Sequence, residues 1–210
     1  MPPYKAVILD MRDVLSSWNP KVDTGVSAQT LRSMTQCELR YEFERRNVGT
    51  EECYQQLGQR FSISPVKISA TFAQATGSLT SNDGMTVIVQ ALKDHTNISV
   101  YMMANIPRPN FDQLRAIEYV WDHIDGIFTS AYEGMRKPDR CFYQHVLDRI
   151  CVLPAETVFV DDNLDNVLAA REFRMEAIQC VDVEETCNRL REMFHVREAS
   201  HHCAVHPPQE

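Results

Sequence analysis

KAVILD at residues 5–10 is a short, unbroken apolar run that stops at a carboxylate, and the chain repeats this pattern. NISVYMM (97–103) ends beside Ala104 and Asn105, and ETVFVDD (156–162) ends at Asp161 and Asp162. Weaker runs lie at 124–129 and 175–181. Runs this short, apolar at successive positions, fit strands buried on both faces, as in parallel sheets. Between them the period changes to that of helices. Met85, Ile88, Val89 and Leu92 mark one helix, Phe111, Leu114 and Ile117 a second, and Phe142, Val146 and Ile150 a third. An Ala-rich stretch at 163–172 follows an Asp/Asn cluster able to cap it. Strands alternating with helices of this length predict an α/β fold, a Rossmann-like, doubly wound parallel sheet.

Residues 17–82 interrupt the alternation. They hold no clear buried strand, and helical stretches fall around 27–45, 50–61 and 64–76, the last opened by SISP. The expected organisation is a core made of 1–16 and 83–196, a helical cap at 17–82 and a frayed tail at 197–210. Such a cap sits over the C-terminal strand ends, where open α/β sheets bind ligands.

Composition narrows the function. The net charge of −8 disfavours nucleic acid as a partner. No apolar run approaches the ~18 residues of a membrane span, and the N-terminus lacks the basic flank of a signal peptide. Seven cysteines, an odd number with no CxxC pair, read as reduced thiols of a cytoplasmic protein. The partner expected is a small molecule.

Asp10, Asn105, Lys137, Asp161 and Asp162 all fall at or just beyond the C-terminal ends of predicted core elements. A parallel sheet brings those ends to one edge. Carboxylates gathered there repel one another unless a cation intervenes. Mg²⁺, with oxygen ligands and substrate phosphate oxygens, suits such a site, with Asp10, Asp161 and Asp162 as the metal ligands.

These segments resemble the four motifs of the haloacid dehalogenase (HAD) superfamily. ILDMRDVL (8–15) is similar to the first, MMANI (102–106) to the second, GMRKPD (134–139) to the third and VFVDDNLDNVLAAR (158–171) to the fourth. The resemblance spans roughly 5–180 and implies a Rossmann-like core, a helical cap, Mg²⁺ and catalysis by Asp10 and Lys137. It also implies two departures. The proton-transferring Asp two residues beyond the nucleophile is Arg12 here, and the hydroxyl of the second motif is Ala104, with Asn105 beside it as a substitute phosphate ligand. Arginine does not exchange protons near neutral pH. Asp13 takes over only if the loop turns sharply.

One chemistry that tolerates this loss is ionisation of an allylic diphosphate, whose leaving group needs cations rather than an acid. Arg12 then clamps diphosphate, and DDNLD at 161–165 matches the DDxxD pattern of class I terpene cyclases. ECYQQL at 52–57, SAYEGMRKPD at 130–139 and the altered first motif resemble small fungal HAD-like proteins that include sesquiterpene cyclases of the trichobrasilenol synthase type, acting on farnesyl diphosphate. The leading expectation is therefore such a cyclase. Trp18, Tyr41 and Phe43 would line its prenyl pocket, with Tyr54, Phe61 and Phe72 as further aromatic candidates. A hydrolase using Asp10 as nucleophile, and a catalytically degenerate binding module, are the alternatives.

Overall fold

The computed structural model describes residues 4–19, 21–116 and 120–196. In chain order these hold β1 (Ala6–Leu9), β2 (Ser16–Trp18), α1 (Ala28–Thr35), α2 (Glu38–Glu44), α3 (Thr50–Phe61), α4 (Pro65–Gly77), β3 (Leu79–Ser81), α5 (Asp83–His95), β4 (Ser99–Ala104), α6 (Arg108–Arg115), β5 (Gly126–Thr129), α7 (Ser130–Glu133), α8 (Arg140–Ile150), β6 (Thr157–Asp161), α9 (Leu164–Glu172), β7 (Glu176–Gln179) and α10 (Val183–Phe194). The predicted tail and Ile117 lie outside the described residues.

Five strands form one parallel sheet in the order β5-β4-β1-β6-β7. The apolar runs supply both of its faces. Val7, Leu9, Val100, Met102, Val158 and Val160 point into one hydrophobic cluster, while Ile8, Met103 and Phe159 point into the other. That is the period-2 alternation of a strand covered on both sides. The first cluster is closed by α5 and α10, with Met85, Ile88, Leu92, Leu190 and Phe194; the second by α8 and α9, with Phe142, Val146 and Val167.

Between β2 and β3 the chain forms α1–α4 around a third cluster containing Leu31, Met34, Phe43, Leu57, Ile68 and Phe72. Side-chain caps fix two of these helices. Ser27 Oγ accepts from Thr30 N, and Ser64 Oγ accepts from Lys67 N ahead of Pro65. Two local expectations are corrected. The single helical stretch at 27–45 breaks at Cys37, whose extended backbone (φ −110°, ψ 155°) precedes α2. The segment expected to lack strands carries β2 at its base, paired antiparallel with β3 just before α5. Three-residue strands carry too little pattern to be read from sequence. No described helix is long and apolar enough to cross a membrane.

Candidate active site

Asp10 follows the last residue of β1, the central strand, and its backbone N–H still donates to Val160 O. The carboxylate therefore sits at the sheet edge in the position the strand pattern requires. β6 ends beside it at Asp161, and Asp162 follows in the chain. Carboxylate oxygens of the three aspartates lie within 4.8 Å of one another.

Lys137 joins them from the loop after α7. Gly134 ends that short helix in the left-handed region (φ 69°), which a side chain would resist, and so turns the chain back toward the sheet edge. Lys137 is only 1% exposed. Its Nζ donates to Asp10 Oδ1 at 2.5 Å, to Asp161 Oδ2 at 2.6 Å and to the Met103 carbonyl at 2.6 Å. Three acceptors satisfy all three ammonium hydrogens. Asn105 holds the lysine's backbone from both sides: its Oδ1 accepts from Lys137 N and its Nδ2 donates to Lys137 O, each at 2.8 Å. Expected as a phosphate ligand, Asn105 is placed by the structure as a clamp on Lys137.

The three aspartates differ in what remains free. Asp161 is fully buried. Its Oδ1 accepts from Asn163 N and Asn166 Nδ2, both at 2.9 Å, and its Oδ2 from Lys137. Asp10 and Asp162 line the cavity above. Burial pushes the Asp10 carboxyl up to about 7, with Lys137 opposing the shift and Asp161 and Asp162 adding to it. Asp162 is raised by burial and by Asp161. Lys137 is held protonated: burial lowers its pKa, but Asp10 and Asp161 raise it further. Hard oxygen donors whose charges are under-compensated fit a divalent cation such as Mg²⁺. Asp165, the last residue of the DDxxD match, is exposed in the first turn of α9 and lies outside the cluster. Its backbone N–H donates to the Asn163 cap, and the start of the helix carries its side chain away.

Two cavities adjoin over this edge, of about 150 Å³ and about 600 Å³. Arg12, Trp18, Thr35, Gln36 and Asp162 line both. The smaller also contains Asp10, Asn105, Lys137, Arg40, Tyr41, Glu44, Phe72, Asn110 and Arg136; the larger is walled by Val22, Val26 and Leu31. The loop after Asp10 does turn sharply. Asp13 is left-handed (φ 61°), its N–H donates to Ser16 O, and Ser16 N donates to Met11 O. The turn leaves the half-exposed Asp13 carboxylate 3.6 Å from Arg12 and on the wall of the larger cavity, not the one holding Asp10.

Of the aromatic candidates, Trp18 lines both cavities, and Tyr41 and Phe72 the smaller. Phe43 and Tyr54 pack edge to face within the insertion's core, and Phe61 packs against the same core; none of the three lines either cavity. Sequence reading missed Arg40, Glu44, Asn110 and Arg136. Arg136 lies 3.9 Å from the centre of the Tyr41 ring and Arg40 4.3 Å from that of Phe72, so protein cations already occupy these faces. Glu44 joins the two arginines, at 3.0 Å from Arg136 Nε and 3.7 Å from Arg40 Nε. The Arg40/Glu44 spacing of four on α2 was the available signal.

A parallel sheet with an aspartate ending its central strand, a buried lysine bonded to it and two further aspartates on the next strand is the arrangement of a HAD-fold enzyme. The chain belongs to the haloacid dehalogenase-like hydrolase family, whose model matches residues 4–174. It is 47% identical over 190 residues to the sesquiterpene phosphatase astK of Aspergillus oryzae, covering 90% of this chain and 96% of that one. It is 36% identical over 192 residues to the drimenol cyclase drtB of Aspergillus calidoustus, covering 90% of this chain but only 36% of that protein's length. Among solved structures, a HAD family enzyme of Bacteroides thetaiotaomicron in complex with magnesium and inorganic phosphate superposes with a TM-score of 0.67, at 17% identity, over 84% of this chain and 93% of that one.

Proposed function

We propose that this protein is a Mg²⁺-dependent hydrolase of terpenyl phosphate esters, with Asp10 as the nucleophile. The observation that carries this reading is the Asp10 carboxylate, facing the cavity from the end of β1 and fixed by Lys137 at 2.5 Å. In this reading an Asp10 oxygen attacks phosphorus to form an aspartyl-phosphate, which water hydrolyses. Lys137 orients the nucleophile and opposes the rise of its pKa, while Asn105 and Asp161 hold Lys137. Magnesium, held by Asp10 and Asp162 with Asp161 behind them, would neutralise charge on the phosphoryl oxygens. The helices of 17–82 act as a cap. Trp18, Val22, Val26 and Leu31 offer the terpenyl chain an apolar wall in the larger cavity, next to the site. The likeness to a sesquiterpene phosphatase over nearly its whole length supports the substrate class.

The cyclase expectation remains the second reading, because Arg12 stands on the cavity wall where a phosphatase of this family would carry its acid. The covered faces of Tyr41 and Phe72 weigh against it, since a carbocation needs open aromatic faces. The test is incubation with farnesyl monophosphate and farnesyl diphosphate plus Mg²⁺, following orthophosphate, inorganic diphosphate and extractable hydrocarbons. Orthophosphate release, lost in Asp10→Asn, is expected. Inorganic diphosphate released together with a cyclised sesquiterpene would establish the cyclase. Neither product would refute both readings.

A further inference from the structure

Arg40 lines the cavity that holds Asp10 and takes no part in the hydrolysis proposed there. It is 6% exposed on α2, and its Nη2 donates to Asn110 Oδ1 at 3.2 Å. Asn110 is itself held by Thr76 Oγ1, which accepts from its Nδ2 at 2.8 Å. The Nε and Nη1 of Arg40 are buried with no hydrogen-bond partner among the described residues. Glu44 is 3.7 Å from Nε, too far for a hydrogen bond, and is engaged at 3.0 Å by Arg136. A guanidinium cannot shed its proton, so these donors stay charged and unsatisfied until an acceptor reaches them. Phe72 covers one face of the group, and the cavity that Arg40 lines also holds Asp10, Arg12 and Lys137.

A second observation concerns the leaving group. Arg12 is where the family's proton donor would stand, and Asp13 turns toward the other cavity. An alcohol expelled from a monophosphate needs a proton; a phosphate monoester expelled from a diphosphate is a stable anion that does not. We propose that the substrate is a diphosphate ester, and that Arg40 holds the phosphoryl group attached to the alcohol while Asp10 takes the terminal one. This rests on the hydrolase reading. An Asp10 oxygen bonds to the terminal phosphorus as the bond from that phosphorus to the bridging oxygen breaks. The electron pair leaves on the bridging oxygen, and the organic monophosphate departs as an anion against Arg40. Water then attacks the aspartyl-phosphate at phosphorus. The electron pair of the broken P–O bond returns to Asp10, and orthophosphate leaves with one water proton while the other goes to solvent.

The test compares inorganic diphosphate with orthophosphate as ligands of the Mg²⁺-loaded protein, by calorimetry and thermal shift, alongside turnover of the two farnesyl esters. The wild type binds diphosphate more tightly. Arg40→Met weakens diphosphate roughly 30-fold and orthophosphate less than about threefold, and Arg40→Lys recovers part of the loss. Equal weakening of both anions would overturn the proposal. So would a wild type that binds diphosphate no better than orthophosphate, a comparison needing no variant if the variants fail to fold. Absence of farnesyl ester turnover would instead sink the hydrolase reading, while the anion comparison still decides the role of Arg40.

Discussion

Replacing Lys137 with methionine removes the one cation shared by two buried carboxylates while keeping the length of the side chain. Its Nζ makes three bonds of 2.5–2.6 Å, and its loss leaves the Asp10 carboxylate without a hydrogen-bond donor among the described residues. Asp161 retains Asn163 and Asn166. The loss is therefore that of one broken buried pair, about 3–5 kcal/mol. In a chain of this size each kcal/mol moves Tm by about 2–4 °C, so metal-free Lys137→Met should melt roughly 6–20 °C below the wild type at pH 8. The deficit has a definite pH dependence. Burial and the neighbouring aspartates already raise the Asp10 carboxyl to about 7, and losing Lys137 raises it further. At pH 5.5 Asp10 is protonated and needs no counter-charge, so the deficit should shrink to half or less. Mg²⁺ at pH 8 should stabilise the variant more than the wild type. Thermal unfolding by circular dichroism with EDTA or Mg²⁺ reads all three effects. A fall of under 2 °C, or one independent of pH, would refute the reasoning.

Three further outcomes follow from the same geometry. The folded state holds the Asp10 proton up to about pH 7, whereas in the unfolded chain it leaves near the ordinary aspartate value of about 3.9; between these values the folded state binds more protons, so metal-free stability should fall as pH rises from about 4 to 7, and a flat denaturant midpoint across that range would contradict the assignment. Asn105→Ala removes both bonds to the Lys137 backbone and should lower kcat about 10- to 100-fold with little change in KM, since the loss falls on a positioned charge; an equal rise in KM would make Asn105 a substrate ligand instead. Arg12→Asp places a carboxylic acid where the family's proton donor stands and should raise farnesyl monophosphate turnover by about tenfold or more, measured as orthophosphate release; no gain would mean that the loop holds this position out of reach of the leaving oxygen.

The strand ends were legible in the sequence because a strand buried on both faces leaves an unbroken apolar run, and the residue that stops it must lie at the sheet edge. Asp10, Asp161 and Asp162 follow from that rule alone, and Lys137 from its motif. The insertion was legible only as helical. Its break at Cys37 and the β2/β3 pair depend on packing that no local pattern encodes. The same is true of its contribution to the cavity. Arg40 and Glu44 read as an ordinary i,i+4 surface pair until α2 is laid over the sheet edge, where both are buried. In sequence Tyr41 offers an aromatic ring, but a face of that ring is taken by Arg136, nearly a hundred residues away, which periodicity cannot reveal. Asn105 was read as a phosphate ligand; it lines the cavity and also bonds the Lys137 backbone on both sides, and an amide beside a phosphate site and an amide gripping a neighbouring loop look alike in sequence.

The end of α2 and its C-cap Arg45 are bound to the segment that carries Lys137 by two crossings. Glu44 accepts from Arg136, and Arg45 makes a two-point contact with Asp139 at 2.9 and 3.1 Å. Arg136 and Asp139 flank the lysine in the chain, and Glu44 and Arg136 belong to the wall of the cavity. The insertion is consequently not an exchangeable module. A chimera that grafts α1–α4 from a relative without its matching 136–139 segment would strand a buried carboxylate or guanidinium beside the active lysine. Variation in substrate preference across such chains has to arise by paired substitutions across this seam, or from residues such as Val22, Val26 and Leu31 that line the cavity wall without taking part in the pairing.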